Sequence, residues 1–307
     1  MISRLAPSLR PFAEFRTNLA PEVLETVRAS LDSRRREIAE SLETPGVAVV
    51  DDVVAVDGGR VVPVRIYRGG PDPAPAVLYC HGGAFVLGNL DTDHRQCAEF
   101  ARLAECTVIS VDYRLAPENP FPAGFDDAAA VLGWLAENAT ALGVDADRIA
   151  VAGSSAGGAL AARLAQCSAA GSLPPVVFQL LHQPVLDDRP SPSKEEFTTT
   201  PGFDGIAAQQ MWKHYVPSGS VSVAAAPARS ESLDGLVPAL ITCSELDPLR
   251  DEAIDYALRL MWSGVSVELH VFPGTCHGFD SLVPQWEVSG QLFAIQGAAL
   301  RWALHGV

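Results

Sequence analysis

The sequence predicts an α/β fold, with a mostly parallel eight-stranded sheet flanked by helices, and three observations support this prediction. From residue 47 onward, short β-branched runs alternate with longer segments of helical periodicity. Such alternation is typical of strands joined by crossover helices. The 307 residues are 48% hydrophobic, which suffices for one large core or two modest ones, and they contain no internal repeat. We expect a single domain spanning residues 1–307.

Eight segments are predicted to be strands: 47–56, 61–67, 76–80, 107–111, 149–152, 176–181, 239–243 and 265–271. The first two should form an antiparallel hairpin, because Asp57-Gly58-Gly59 between them is a turn signal. Five segments with spaced apolar residues are predicted to be the covering helices: 93–104, 125–142, 156–169, 250–262 and 286–304.

Two segments lie outside this alternation, and we expect them to form a helical cap. Residues 1–45 have helical character, and residues 187–228 contain one helix pattern at 206–215. Both carry bulky apolar residues, namely Phe12, Phe15 and Leu19 in the first and Met211, Trp212 and Tyr215 in the second. Met211 and Tyr215 are four residues apart and share a helix face. That face either closes over a substrate pocket or packs the cap onto the body, and the sequence leaves both options open.

Charge and composition exclude several classes of function. The formal net charge of −15 would repel phosphate backbones and anionic lipids, so nucleic-acid binding and stable membrane association are not expected. No stretch approaches the roughly 18 uncharged apolar residues of a membrane span, and the first residues lack the apolar core of a signal peptide. The six cysteines form no Cys-x-x-Cys pair, which argues against a metal site. Free thiols within apolar stretches predict a cytoplasmic protein.

A strand, a tight turn and a helix meet at Gly153-Ser154-Ser155-Ala156-Gly157-Gly158. This arrangement is typical of a nucleophile elbow, in which the small flanking residues let strand and helix pass closely and expose the serine oxygen. The pattern therefore predicts Ser155 as a nucleophile. The alternative is a glycine-rich turn that only packs or binds phosphate, but the segment lacks a P-loop Lys and G-x-G-x-x-G spacing.

A second loop supports the catalytic interpretation. The predicted strand 76–80 ends in His81-Gly82-Gly83-Ala84-Phe85, where glycines leave backbone N–H groups free to form an oxyanion hole. The partner donor would be the N–H group of Ala156, which follows the proposed nucleophile. An ordinary turn is the alternative, and we expect His81 to be structural rather than basic.

These motifs, together with YRLAPE at 113–118, FPA at 121–123 and DPLRDE at 247–252, resemble those of the hormone-sensitive lipase family of esterases. They occur in the family's order over residues 81–278, and 246–279 is especially similar to bacterial acetylesterases and heroin-esterase-like members. The resemblance implies an α/β-hydrolase fold, a serine carboxylesterase without cofactor or metal, and a small-molecule ester substrate. Its residue assignments are catalytic Ser155, Asp247 and His277, oxyanion donors at Gly83, Ala84 and Ala156, and supporting positions His81, Gly82, Gly153 and Gly157.

Position in the chain independently favours the same histidine. In α/β-hydrolases the order is Ser, then acid, then His, and three histidines lie beyond the best acid. His270 falls within a predicted strand and His305 lies at the end of the chain. His277 remains, in a loop after a strand, and active sites of open sheets lie beyond the carboxyl ends of strands.

The same rule favours Asp247, which follows the predicted strand 239–243. Asp251 and Glu252 should begin the next helix and cap it, and Glu245 remains a weaker alternative for the acid.

Two positions depart from the family pattern. Ser154 stands where the family usually carries Asp, or Thr in a sister group, so a charge beside the nucleophile is lost. Ala84 replaces the third glycine of HGGGF, which keeps the N–H group but restricts the backbone. We expect activity to persist with altered selectivity.

The predicted substrates are esters with acyl chains of roughly two to six carbons, held in a small capped pocket. The residues predicted to line it are Phe12, Phe15, Phe85, Met211, Trp212 and Tyr215. Two alternatives remain open: hydrolysis of an amide, lactone or thioester, and a non-catalytic receptor on the same fold, against which His277 argues. The oligomeric state is also open, with a homodimer as one option.

Overall fold

Eight strands form one sheet in the computed structural model of the protein, which describes residues 2–306. The strands, in chain order, are β1 (Ala48–Val56), β2 (Arg60–Arg68), β3 (Ala74–Cys80), β4 (Thr107–Val111), β5 (Val144–Ser154), β6 (Phe178–His182), β7 (Ala239–Leu246) and β8 (Val267–Cys276). Their order across the sheet is β1-β2-β4-β3-β5-β6-β7-β8. Neighbours from β4 to β8 are parallel, which confirms the predicted mostly parallel sheet.

The antiparallel part of the sheet is the predicted hairpin. β1 pairs with β2 from Ala48 opposite Arg68 to Val56 opposite Arg60, and β2 also runs antiparallel to β4. The turn at Asp57–Gly59 is short because Gly58 and Gly59 adopt φ angles of 77° and 74°, which glycine takes without steric cost.

Ten α-helices complete the described chain. They are α1 (Leu24–Ser41), α2 (His94–Leu103), α3 (Ala123–Glu137), α4 (Ala139–Leu142), α5 (Ala156–Ala169), α6 (Pro192–Glu196), α7 (Gly205–Tyr215), α8 (Arg250–Trp262), α9 (Phe279–Leu282) and α10 (Glu287–His305). Short 3₁₀ helices lie at Ile2–Arg4, Pro7–Phe12, Asp57–Gly59 and Pro227–Arg229.

One predicted helix, residues 125–142, is divided into two in the structure. Asn138 separates α3 from α4, with φ of −103° and ψ of 11°. Both its backbone N–H and its side-chain amide donate to the Trp134 carbonyl, which ends the first helix. The prediction of one continuous helix was wrong because apolar periodicity continues through this polar break.

The central strands are buried over their whole length. Every residue of β3, β4 and β6 is buried, as helices on both faces of a parallel sheet require. Within residues 2–306, no helix is both long enough and apolar enough to span a membrane.

The two segments outside the β-α alternation contact each other directly. Gly202 accepts a backbone hydrogen bond from Thr17 (2.8 Å) and donates one to Phe15 (3.0 Å). The Leu19 N–H group donates to Gln210 Oε1 (3.0 Å), and His214 Nε2 donates to the Leu19 carbonyl (2.7 Å). The chain before α1 and the segment around α7 therefore pack as a unit.

Candidate active site

Three candidate site residues follow the ends of three parallel strands. Ser155 comes directly after β5, Asp247 after β7 and His277 after β8. Because the carboxyl ends of parallel strands lie at the same edge of the sheet, residues distant in sequence meet there.

These three residues form a continuous hydrogen-bonded chain. His277 Nε2 lies 3.0 Å from Ser155 Oγ, and His277 Nδ1 lies 2.8 Å from Asp247 Oδ2. Asp247 is fully buried, and its other oxygen accepts the Leu249 N–H group at 2.8 Å. With Nδ1–H donating to the carboxylate, Nε2 is free to accept the serine proton. The arrangement can activate a hydroxyl for nucleophilic attack.

The backbone at Ser155 is strained, with φ of 53° and ψ of −114°. Two hydrogen bonds hold it: the Ser155 N–H group donates to the His182 carbonyl (2.8 Å), and the Val185 N–H group donates to the Ser155 carbonyl (3.0 Å). A Cβ atom at Gly157 would lie 1.9 Å from the Cys80 carbonyl oxygen, so only glycine permits α5 to pass β3 this closely. At Gly153 a Cβ atom would likewise lie 2.2 Å from the Gly157 carbonyl oxygen.

The alternative acid, Glu245, has other partners. Its carboxylate accepts hydrogen bonds from the Gly274 N–H group (2.8 Å) and from Arg4 (3.3 Å). The Gly274 hydrogen bond is the largest cause that lowers the pKa of Glu245, and Arg4 adds to it. Glu245 thus attaches Arg4, near the start of the chain, to β8, while His277 pairs with Asp247.

Asp251 and Glu252 lie in the first turn of α8. Both also bind backbone groups in α6 or just before it. Asp251 accepts the Ser193 N–H group (2.7 Å), and buried Glu252 accepts the Leu186 N–H group (2.7 Å). Glu252 also pairs with Lys194 at 2.5 Å. Their contacts attach α6 to α8, a tertiary role in addition to the expected helix start.

The loop after β3 approaches Ser155 with unusual backbone angles: φ is 133° at Gly83, 55° at Ala84 and 58° at Phe85. Within residues 2–306, the N–H groups of Gly83, Ala84 and Ala156 donate no hydrogen bond. The Gly82 N–H group, by contrast, donates to Asp93 Oδ2 at 2.8 Å.

His81 is fully buried behind this loop. Its ring stacks on Tyr113 with centroids 4.2 Å apart, and its Nδ1–H donates to the Gly82 carbonyl at 2.8 Å. Burial lowers the pKa of His81 to about 4, so the ring is neutral at pH 7. The geometry gives His81 a packing position, away from the Ser155–His277 pair.

Asp93 is a site residue that the sequence reasoning missed. It lies just before α2 and accepts hydrogen bonds from the Gly82 N–H group (2.8 Å) and the Tyr79 hydroxyl (3.0 Å). Burial raises the pKa of Asp93. The only signal in the sequence is an Asp at a helix start, which ordinarily suggests a cap.

A cavity of about 300 Å³ opens beside Ser155 and His277. Its apolar lining comes from α1 and the chain before it, from the loop after β3, from α9 and the residues after it, from α10 and from the segment near Gly202. It includes Phe15, Leu31, Ile38, Leu42, Leu87, Phe203, Leu282, Pro284 and Phe293. Phe203, which sequence reasoning missed, also packs on His277 with ring centroids 4.9 Å apart.

Of the six residues predicted to line the pocket, Phe15 lines this cavity, and the structure does not place Phe12, Phe85, Met211, Trp212 or Tyr215 on its wall. The last four are buried in the core. The rings of Phe85 and Tyr215 stack with centroids 3.6 Å apart. The ring centroid of Trp212 lies 6.3 Å from that of Phe85. The shared face of α7 therefore packs against the loop after β3, which is the second of the two options left open by the sequence.

A strand, sharp turn and helix that present a serine to a histidine and a buried acid define the α/β-hydrolase class. A family model described as alpha/beta hydrolase fold matches residues 77–281. The chain belongs to this family, in its hormone-sensitive-lipase-like branch.

Particular relatives agree with this assignment. The crystal structure of esterase LipW from Mycobacterium marinum is 59% identical, with a TM-score of 0.97 over 99% of this chain and 97% of that one. A bacterial heroin esterase is 38% identical, with a TM-score of 0.93 over 99% of both chains. Esterase LipI of Mycobacterium tuberculosis is 39% identical over 321 residues, covering 98% of this chain and all of the relative.

Proposed function

We propose that this protein is a serine carboxylester hydrolase in which Ser155 is the nucleophile, His277 the general base and Asp247 the acid that orients the base. The observation that carries the proposal is the hydrogen-bonded chain from Ser155 Oγ through His277 to Asp247. The similarity to proteins named as esterases supports ester hydrolysis as the reaction.

The proposed cycle has two halves. His277 Nε2 takes the proton from Ser155 Oγ as that oxygen bonds to the ester carbonyl carbon, and Asp247 stabilises the imidazolium that forms. His277 then returns the proton to the leaving alcohol, which leaves an acyl group on Ser155. Water attacks this acyl-enzyme with His277 again as base, and the carboxylic acid is released. All of these steps use protein groups and water.

The oxyanion of both tetrahedral intermediates would be stabilised by the N–H groups of Gly83, Ala84 and Ala156. Two observations support this assignment: all three groups belong to turns beside Ser155, and none has a hydrogen-bond acceptor within residues 2–306. Preorganised donors of this kind are worth about 10²–10³-fold in turnover each.

The proposed substrates carry acyl chains of roughly two to six carbons. The cavity of about 300 Å³ lies at the small end of ligand sites, which favours short acyl chains. Residues 1–45 and 187–228 form the proposed cap over it. A series of p-nitrophenyl esters should show an optimum within this range, and faster hydrolysis of long-chain triglyceride emulsions would contradict the assignment.

The proposed location is the cytoplasm. The cysteines at positions 80, 97, 106, 167, 243 and 276 are all buried and free. Burial raises the pKa of Cys80 and Cys276 to about 12, so these thiols are unreactive at pH 7. Unpaired buried cysteines are usual in proteins of reducing compartments.

The direct test replaces the proposed nucleophile. Ser155→Ala should reduce ester turnover by at least about 10⁴-fold while the protein still folds. Ser154→Ala is the matched control, because the same hydroxyl is removed one residue earlier, and its effect should be mild. A harmless Ser155→Ala combined with an inactivating Ser154→Ala would show that the register of the turn assigned here is wrong.

A further inference from the structure

We propose that Gln183 is a positioning residue that ties the turn carrying Ser155 to the loop carrying His277. This inference rests on the proposed function, since it concerns how the general base is aligned with the nucleophile. Gln183 follows β6, which lies between the strand that precedes Ser155 and the strand that precedes Asp247.

The backbone around Gln183 holds the nucleophile. The residue before it, His182, accepts the Ser155 N–H group, and Val185, two residues after it, donates to the Ser155 carbonyl. Gln183 itself has a left-handed φ of 45°, and its N–H group donates to the Thr242 carbonyl at 2.6 Å. A non-glycine residue keeps such a conformation only where its surroundings determine it, and such residues cluster at functional sites.

The side chain of Gln183 holds the general base. Its Oε1 atom accepts the Gly278 N–H group at 2.7 Å, and its Nε2 atom donates to Ser244 Oγ at 2.7 Å. Ser244 Oγ in turn donates to the Cys276 carbonyl at 3.0 Å. Gly278 and Cys276 are the two neighbours of His277. The Gln183 amide therefore holds the main chain on both sides of His277, directly at Gly278 and through Ser244 at Cys276.

A third contact completes the attachment of this loop to β6. His182 Nε2 lies 3.3 Å from Asp280 Oδ1, and its Nδ1 lies 2.8 Å from Thr242 Oγ1. Asp280 is three residues after His277. The carboxyl end of β6 therefore contacts the nucleophile through its backbone and the His277 loop through two consecutive side chains.

This arrangement predicts an effect on turnover rather than on substrate affinity. His277 must lie within hydrogen-bond distance of both Ser155 and Asp247, and a misplacement of about 1 Å can cost roughly 10²-fold in rate. Gln183 also borders the cavity, so its replacement alone could change substrate contacts. Ser244 is fully buried and is not among the residues that line the cavity, so it tests the same link without that contact.

The experiment compares four variants by kcat, KM and thermal midpoint on one soluble acetate ester. Gln183→Met keeps the side-chain volume and removes the amide, Ser244→Ala removes the second link, and the third variant combines them. Gln179→Met is the matched control, because Gln179 is a fully buried amide on β6, the strand before Gln183, and donates to the Val237 carbonyl (3.1 Å), away from the site.

We expect Gln183→Met to lower kcat by about 10- to 10²-fold with KM changed less than about twofold. Ser244→Ala should lower kcat by a smaller factor, and the double variant should resemble Gln183→Met, because residues acting as a unit are not additive. Gln179→Met should lower the thermal midpoint and leave kcat within about twofold.

Two results would overturn the inference: a kcat for Gln183→Met equal to that of Gln179→Met, or a Ser244→Ala variant that changes the thermal midpoint alone. If Gln183→Met does not fold, Ser244→Ala decides the question. The Ser155→Ala variant separates this failure from that of the proposed function. When wild-type turnover depends on Ser155 but not on Gln183 or Ser244, only the positioning role is lost.

Discussion

The two loops that meet at Ser155 are held in different ways. The loop that carries His277 is attached to strand ends inside the sheet, through Gln183, Ser244 and the His182–Asp280 pair. The loop after β3, which carries two of the proposed oxyanion donors, Gly83 and Ala84, is attached from outside the sheet by α1 and by the start of α2.

The outer attachment is dominated by one arginine of α1. Arg28 donates hydrogen bonds to the carbonyls of Val86 (2.6 Å) and Ala116. It also forms a bidentate salt bridge with Glu118, at 2.7 and 2.9 Å. Glu118 closes the YRLAPE motif, and the Ala116 N–H group donates to the Phe85 carbonyl at 2.9 Å. The motif thus links α1 to the loop after β3.

This difference implies that two parts of the site depend on different parts of the fold. The geometry of the Ser155–His277–Asp247 chain depends on the sheet, whereas the position of Gly83 and Ala84, two of the proposed oxyanion donors, depends on a helix that precedes the sheet in sequence. Changes in α1 should therefore alter transition-state stabilisation without disturbing the triad.

The largest expected effect concerns the carboxylate that pairs with His277. Asp247→Asn should lower kcat by about 10⁴-fold, because the amide no longer favours the imidazole tautomer that accepts the serine proton. Asp251→Asn is the control, since Asp251 binds the Ser193 N–H group and should affect stability rather than kcat. Steady-state kinetics and thermal unfolding measure both. Wild-type activity in Asp247→Asn would transfer the acid's role to Glu245 or another carboxylate.

An intermediate effect tests the outer attachment. Arg28→Leu removes the donors that hold Val86 and Ala116, and we expect kcat/KM to fall by about 10- to 10²-fold, less than the roughly 10²–10³-fold expected when an oxyanion donor is deleted. Arg102→Leu, which breaks only an exposed pair with Glu99, should leave kcat/KM unchanged. If both variants behave alike, α1 does not position the loop after β3.

The smallest expected effect concerns the loop itself. Ala84→Gly keeps the N–H donor and relieves an alanine held at φ of 55°, a conformation that costs an L-residue about 1–2 kcal/mol and glycine almost nothing. Turnover of a short ester should change less than about 10²-fold, and the relative rates on acyl chains of different length should change more. Complete loss of activity in this variant would mean that the Ala84 methyl group itself positions the loop.

Much of the fold was predictable because it depends on local periodicity. The strand and helix patterns identified all eight strands and the hairpin. The end of β8 was missed, since the predicted strand stopped at Val271 and the structure continues to Cys276 through Pro273 and Gly274. Pro and Gly ordinarily argue against a strand, but both are tolerated in an edge strand such as β8.

The site was predictable only where position along the chain carries the information. Ser155 was selected by its glycine-rich turn between a strand and a helix, and Asp247 and His277 were selected because each follows a strand. Gln183 and Asp93 were missed because their roles depend on contacts between segments distant in sequence, such as Gln183 and Gly278, which are 95 positions apart. Periodicity identified the shared face of α7, but it could not show that this face meets Phe85 instead of a substrate.

Because the backbone at Ser155 is strained, enzymatic activity also reports whether the protein is fully folded. The φ of 53° and ψ of −114° at Ser155 persist only while β5, β6 and α5 hold the turn, because an L-residue released from such constraints returns to a more populated conformation. With Ser155 as the proposed nucleophile, a chain that keeps most of its helices but loses the packing at these strand ends should still give helical circular dichroism and should not turn over ester. Enzymatic activity therefore counts fully native molecules, and partly folded ones contribute nothing to it.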